Sequence, residues 1–238
     1  MNIKKVLLVN DDGIYHSAFK ETVNAFKKLG FDITICAPLN AQSAKSHAIE
    51  IRESFLIKKI DDFEGIEAYA IDSTPADCVR FAKYHLHWDG ELVVSGINDG
   101  LNLGDDILYS GTVSAAIEAG IRGYNALALS SANSHPEYCT NVLKDILEFI
   151  EKQKLFDKWN VWSFNIHQNS LGFRFASQGN VNFYTYFEEG KPGYFKQLGH
   201  PQHELDLDPK SDVYLYHRGY SPYSAMSYIR TCDEINKK

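Results

Sequence analysis

Positive charge and cysteine are both scarce. Lys and Arg number 24 against 31 Asp and Glu, a formal charge of −7 at pH 7, and no run of five or more Lys/Arg occurs. A duplex-DNA or anionic-membrane binder needs a basic face, so the reading is no nucleic-acid duplex and no membrane, with a mononucleotide still open. The four cysteines, Cys36, Cys78, Cys139 and Cys232, form no C-x-x-C pair. A zinc knuckle and a thioredoxin-like redox motif are thereby excluded, and reduced, buried thiols are expected. No stretch approaches the roughly 18 apolar residues of a membrane span. The first apolar run, Val6-Leu7-Leu8-Val9, stops at Asn10-Asp11-Asp12 and is too short for a signal-peptide core. The expected location is cytoplasmic. Neither an internal repeat nor a low-complexity tract is present. With 44% hydrophobic and 23% charged residues over 238 positions, disordered, collagen-like and coiled-coil classes also drop out.

What is present is an alternation of short apolar runs with helix-period segments. Lys5–Asn10, Phe31–Ala37, Ala68–Ile71, Leu92–Val94, Ala126–Ser130 and Val161–Ile166 read as strands, and Ile49–Ile60 as strand-like. Helices are expected over Phe19–Leu29 with Gly30 as C-cap, from Pro75 to about Tyr84, over Thr112–Ile121 and over Glu137–Lys152. Continuous apolar strands between helices predict an α/β fold, a Rossmann-like three-layer core with a mostly parallel sheet. After Trp159 the pattern turns aromatic and β-alternating over Phe173–Tyr186 and Val213–Ile229, predicting antiparallel hairpins and an extended tail for oligomerisation. One domain over 1–238 is expected, with the core at 1–167 and hairpins and tail at 168–238.

In parallel sheets, ligands sit beyond the carboxyl ends of the strands. At the first such end stands Asn10-Asp11-Asp12-Gly13. Adjacent carboxylates there fit either an N-cap and turn or a hard divalent cation held by oxygen ligands. After the Leu92–Val94 strand comes Ser95–Asp106 followed by Tyr109-Ser110-Gly111-Thr112, with four glycines and several Asn and Asp in one loop and a helix opening at its end. Glycine lets backbone N–H groups approach an anion, the helix start adds positive potential, and Ser110 and Thr112 offer hydroxyls. The loop is neither G-x-G-x-x-G nor G-x-x-x-x-G-K-[ST], which argues against dinucleotide and P-loop readings. The 37–47 segment could add one neutral oxygen ligand, and Ser73 or Thr74 caps the helix after it.

Together Asn10–Gly13, Ala37-Pro38 with Ser43, Thr74–Cys78 and Ser95–Gly120 resemble the SurE family of stationary-phase survival proteins, divalent-metal-dependent 5′/3′-nucleotidases. The resemblance is close over about residues 3–131 and looser to Ser211-Asp212-Val213 and Gly219-Tyr220. It implies Asp11, Asp12, Ser43 and Asn98 as ligands of one divalent ion per subunit, Mg²⁺ or Mn²⁺. It further implies Ser110, Gly111, Thr112 and Asn102 as phosphate-binding residues, and Asp11 and Asp106 as catalytic groups, with attack by Asp11 or by activated water left open. The chain departs from the family's usual pattern at His16–Phe19, at Leu39–Ala44 where Asp-x-Asn-x-Ser-Gly is common, at Ser73, and at Ser221–Ala225.

The expected function is hydrolysis of nucleoside 5′- (and 3′-) monophosphates by a homodimer or homotetramer. The rivals are a catalytically weak nucleotide-binding protein on the same fold and a cofactor-binding Rossmann enzyme. Against the latter, Asp11-Asp12 would repel a pyrophosphate where the glycine fingerprint should stand. The aromatic region 180–196 and the tail 213–229 are expected to cross between subunits.

Overall fold

A computed structural model describes residues 3–132, 136–181, 183–201 and 206–229. The elements are β1 (Lys5–Val9), α1 (Ser17–Lys28), β2 (Asp32–Pro38), β3 (Ile57–Ile60), β4 (Glu67–Ile71), α2 (Pro75–Tyr84) and β5 (Leu92–Asp99). After a 3-10 turn at Gly104–Leu108 follow α3 (Gly111–Ile121), β6 (Asn125–Ser131), α4 (Pro136–Gln153), α5 (Leu155–Lys158) and β7 (Val161–Ile166). The last third holds β8 (Phe173–Phe175), β9 (Phe183–Glu189), β10 (Phe195–Pro201), α6 (Asp212–His217) and β11 (Ser221–Ala225).

One nine-stranded sheet runs β3-β4-β2-β1-β5-β6-β7-β11-β8. Its centre, from β4 to β7, is parallel throughout. The alternating side chains of β1 show why its run is apolar on both faces. Val6 and Leu8 pack into a core with Phe19 and Phe26 of α1 and Leu143 and Ile146 of α4. Leu7 and Val9 pack into a second core with Val79 of α2 and Val113 and Ala116 of α3. Burial on both faces makes such strands continuous hydrophobic runs. The three-layer expectation holds. From β1 the chain builds outward through β2 and β4, and from β5 it builds the other way through β6 and β7, so strand order reverses between β1 and β5. That reversal is the crevice where open α/β sheets bind ligands.

Helix α2 has the bounds that capping predicts: Thr74 Oγ1 accepts the Asp77 N–H at 3.2 Å and Pro75 occupies the first turn. Two expectations need correction. Of Ile49–Ile60 only Ile57–Ile60 is strand. Ile49, Ile51 and Leu56 are exposed, so their alternation with charged residues reflects no sheet face. In Val213–Ile229, the first residues are helical, because Ser211 Oγ caps the Tyr214 N–H at 3.1 Å and starts α6. Within the chain, β11 lies antiparallel to β7 and parallel to β8 in the same sheet. Among the described residues only the β9–β10 hairpin forms a separate two-stranded sheet, with Tyr184, Tyr186, Phe187, Tyr194 and Phe195 exposed. Cys36 and Cys78 are free and buried, and burial pushes both thiols above their ordinary range. The Cys139 side chain and Cys232 lie outside the described residues. Among the described residues no helix is long and apolar enough to cross a membrane.

Phe164 of β7 joins the last third of the chain to the main core. Fully buried, it stacks on Tyr223 of β11 at 5.3 Å and meets Phe173 of β8 edge-on at 5.7 Å. Phe164→Ala is expected to cost about 3–5 kcal/mol in urea unfolding. A loss below about 1 kcal/mol would detach β8 and β11 from the core.

Candidate active site

The crevice between β1 and β5 gathers the residues singled out in the sequence. Asp11, Asp12, Ser43, Asn98, Asn102, Asp106 and Ser110 all line one pocket of about 290 Å³, together with Asp99 and Tyr109. Gly111 and Thr112 lie directly beneath it, against Asp11.

Each of these positions has a local cause. Beyond β1 the chain turns sharply. Asn10 Nδ2 donates to the Gly13 carbonyl at 2.9 Å, and the Gln42 N–H donates to the Asp11 carbonyl at 2.7 Å, which draws the Ser43 loop over the strand end. At the end of β5, Asn98 Nδ2 donates to the Gly100 carbonyl at 2.9 Å. That bond fixes which way the amide faces, with its carbonyl oxygen on the acceptor side. Gly96, with φ +115°, is required here: a Cβ would lie 2.2 Å from the Leu129 carbonyl oxygen. Thr22 of α1 supports the same turn, its hydroxyl accepting the Ile97 N–H at 2.9 Å.

Asp11 is 4% exposed, and Thr112 Oγ1 donates to its Oδ1 at 2.6 Å. Burial pushes the Asp11 carboxyl above its ordinary range; the Thr112 bond opposes this, and the charge of Asp12 adds to it. A Cβ at position 111 would stand 2.8 Å from the Asp11 Cβ, so glycine alone lets α3 approach this closely. These contacts correct the reading of Thr112. It is fully buried with its hydroxyl committed to Asp11, and so it orients a carboxylate rather than facing a phosphate. Ser110 differs: its oxygen caps the Val113 N–H at 3.1 Å while its own hydroxyl proton stays available at the pocket. Asp106 reaches solvent, yet desolvation by the surrounding loop, then the charge of Asp105, raises its carboxyl.

Three supporting residues were not read from the sequence. The Asn102 N–H donates to Asn165 Oδ1 and Asn165 Nδ2 returns to the Asn102 carbonyl, both at 2.8 Å, while Asn102 Nδ2 donates to Ser130 Oγ at 2.7 Å. Asp212 accepts N–H groups from Gly104 at 2.9 Å and from Gly179 and Val213 at 2.8 Å. Asn165 and Ser130 do carry a sequence signal, since both stand at carboxyl ends of strands. Asp212 stands in the late segment of the family resemblance, without a role assigned to it there.

The donor set fits a hard divalent cation. Four Asp line the pocket with no Lys, Arg or His among the lining residues, and the ligand atoms offered by Asp11, Asp12, Ser43 and Asn98 are all oxygens. The close cradle around Asp11, which a single added Cβ would fill, also leaves that carboxylate facing the pocket.

The family described as Survival protein SurE matches residues 6–185. The chain belongs to the SurE family. The 5′-nucleotidase SurE of Thermosipho melanesiensis is 33% identical to this SurE-family chain over 244 residues, covering 98% of this chain and 95% of its own. That of Clostridium botulinum strain Kyoto is 37% identical over 218 residues, covering 88% and 84%. In structure, the SurE protein from Aquifex aeolicus superposes with a TM-score of 0.80 at 26% identity, covering 98% of this chain and 97% of that one. The family carries a general divalent-metal dependence, in keeping with an oxygen-only ligand set.

Melting curves with EDTA and with Mn²⁺ separate a metal cradle from a capped turn. For the wild type, Mn²⁺ at about 100 times its Kd should add about 2.7 kcal/mol. Asp12→Asn should be at least as stable as wild type in EDTA, because it removes one of two mutually repelling charges, and should gain nothing from Mn²⁺. Thr112→Val should weaken Mn²⁺ binding by about 10–100-fold. An Asp12→Asn protein that gains as much as wild type would take Asp12 out of the site.

Proposed function

We propose that this chain is a divalent-metal-dependent 5′-nucleotidase that hydrolyses nucleoside 5′- (and 3′-) monophosphates to nucleoside and phosphate. The observation that carries the reading is the convergence, at the strand-order reversal, of paired carboxylates with the Ser110–Gly111 start of α3. The names of the relatives, 5′-nucleotidase SurE, support it.

Asp11, Asp12, Ser43 and Asn98 would hold the ion, with Mg²⁺ or Mn²⁺ matching their chemistry. When bound, it supplies Lewis acidity that neutralises charge on the phosphate. The chain's own groups do the rest. Thr112 holds Asp11 at one carboxylate oxygen and leaves the other to the site. Ser110 donates its hydroxyl to a phosphate oxygen, and the Gly111 N–H adds a second donor at the positive end of α3. Asn102, fixed by Asn165 and Ser130, keeps one amide N–H for the same oxygens. Asp106, whose carboxyl is raised above its ordinary range by desolvation, takes the proton from the attacking water and returns it to the leaving nucleoside oxygen.

Phosphate release from AMP and other nucleoside monophosphates tests this. Turnover should vanish with EDTA and return with Mn²⁺ or Mg²⁺. AMP binding without phosphate release under any divalent metal would establish the catalytically weak binder instead.

The hairpin favours self-association as a dimer or tetramer, since five large aromatics stay exposed on one two-stranded sheet. The remaining described residues form the one domain that carries it. Light scattering at micromolar concentration should give a multiple of 27.0 kDa. Tyr186→Lys with Phe187→Lys should lower that mass, whereas a wild-type monomer would remove the hairpin from any interface.

A further inference from the structure

Across the 42–47 loop from the catalytic pocket lies a second depression of about 600 Å³, lined by Lys45, Ser46, His47, Arg80, Glu118 and Arg122 among others. Glu118, 4% exposed, forms its floor. His47 Nε2 lies 3.0 Å from Glu118 Oε2, while Arg80 Nη1 and Arg122 Nε both donate to Oε1 at 3.0 Å. The two guanidinium groups also share the Tyr84 ring, 5.7 and 5.6 Å from its centroid. Glu118 is held ionised by these partners: burial alone would raise its carboxyl, but the His47 and Arg80 bonds and the Arg122 charge bring it below its ordinary range.

One carboxylate cannot neutralise this group. Lys45, Arg80 and Arg122 against Glu118 leave a surplus of two positive charges before His47 is counted, on a chain whose net charge is −7. Arg80 and Arg122 are 32% and 24% exposed, so the N–H groups not spent on Glu118 and Tyr84 open onto the depression. Neutralising Glu118 takes one cation, and three stand around it. Two guanidiniums fixed side by side with a lysine at the rim match the charge and the fork geometry of phosphate.

We propose that this depression is a second anion site, separate from the catalytic pocket, that takes a phosphate-type dianion. Inorganic phosphate and the phosphate of an intact nucleotide present the same chemistry to it. The site shares its wall with the catalysis, because Lys45 and His47 line it from the same loop whose Ser43 and Ala44 line the catalytic pocket. An anion held by Lys45 and His47 therefore bears on where Ser43 stands.

Titration calorimetry on the full chain in EDTA, at constant ionic strength, tests the site without metal or turnover, so its failure leaves the nucleotidase reading untouched. Wild type should bind one inorganic phosphate per chain. Arg122→Gln should weaken binding at least about tenfold. Lys45→Gln, a change at an exposed side chain with no bearing on folding, should weaken it in the same direction. Ser110→Ala should bind phosphate as wild type does. AMP that displaces the phosphate identifies nucleotide phosphate as a source, and AMP that does not restricts the site to inorganic phosphate; both support it. No binding by wild type at millimolar phosphate, binding unchanged in Lys45→Gln, or binding lost in Ser110→Ala would overturn it.

Discussion

The bond from Thr112 to Asp11 ties the first strand to the start of α3, across 101 residues of chain, and the rest of the site is arranged around it. A carboxylate nearly removed from water needs donors or a positive charge. Here the Thr112 hydroxyl and the backbone around Asp11 and Thr112 supply donors but no positive charge, a second carboxylate stands next in sequence, and no lining residue of the pocket is a cation. The polypeptide alone thus leaves negative charge under-compensated at the centre of its sheet. A cation held there would relieve that burden in the folded state only, so its binding would add to the stability of the fold. The same bond dictates Gly111, because α3 must approach within the space of a methyl group for Thr112 to reach Asp11.

The loop that bears Asn98, Asn102 and Asp106 has little secondary structure of its own, and its rigidity comes from behind. Asn165 at the end of β7 and Ser130 at the end of β6 take up the polar groups of Asn102. Asp212 takes the Gly104 N–H, two residues before Asp106, with one oxygen and two further N–H groups with the other. A buried carboxylate surrounded by backbone donors is a strong clamp. Through it α6 and the turn before β9 brace the loop that lines the pocket, tying the last third of the chain to it as well as to the sheet.

Much of this was legible from residues alone, for reasons that differ by element. β7 and α2 have their expected bounds because a run buried on both faces, or a Thr-Pro cap, is decided locally. The residues Asp11, Asp12, Ser43 and Asn98 were singled out through their match to a family motif, and their gathering at one pocket follows from strand ends meeting where strand order reverses. Ile49–Ile60 misled because alternation implies a sheet face only if a neighbouring strand exists. α6 was hidden because Tyr214 and Tyr216 favour strands, and Ser211 overrides them only through its cap. Thr112 misled for the opposite reason: a hydroxyl at a helix start is a good phosphate donor until tertiary packing places another residue's carboxylate against it.

The departure from the family pattern at Leu39–Ala44 has a physical counterpart. Where glycine is common after the serine, this chain has Ala44 at φ +58°, and Ser46 is left-handed as well at +53°. Each costs roughly 1–2 kcal/mol for a residue with a Cβ. The loop keeps this shape because its ends are fastened on both sides. Gln42 bonds the Asp11 carbonyl; Ser46 bonds the Tyr109 carbonyl at 3.0 Å through its N–H and the Leu108 carbonyl at 2.7 Å through its hydroxyl. His47 meets the buried Glu118. Those fastenings offset the strain that glycine would have avoided, and they hold Ser43 at the mouth of the pocket between two aspartates and a cluster of cations. The substitution at position 44 therefore shifts the burden of shaping the ligand loop from backbone freedom to the contacts of Ser46 and His47.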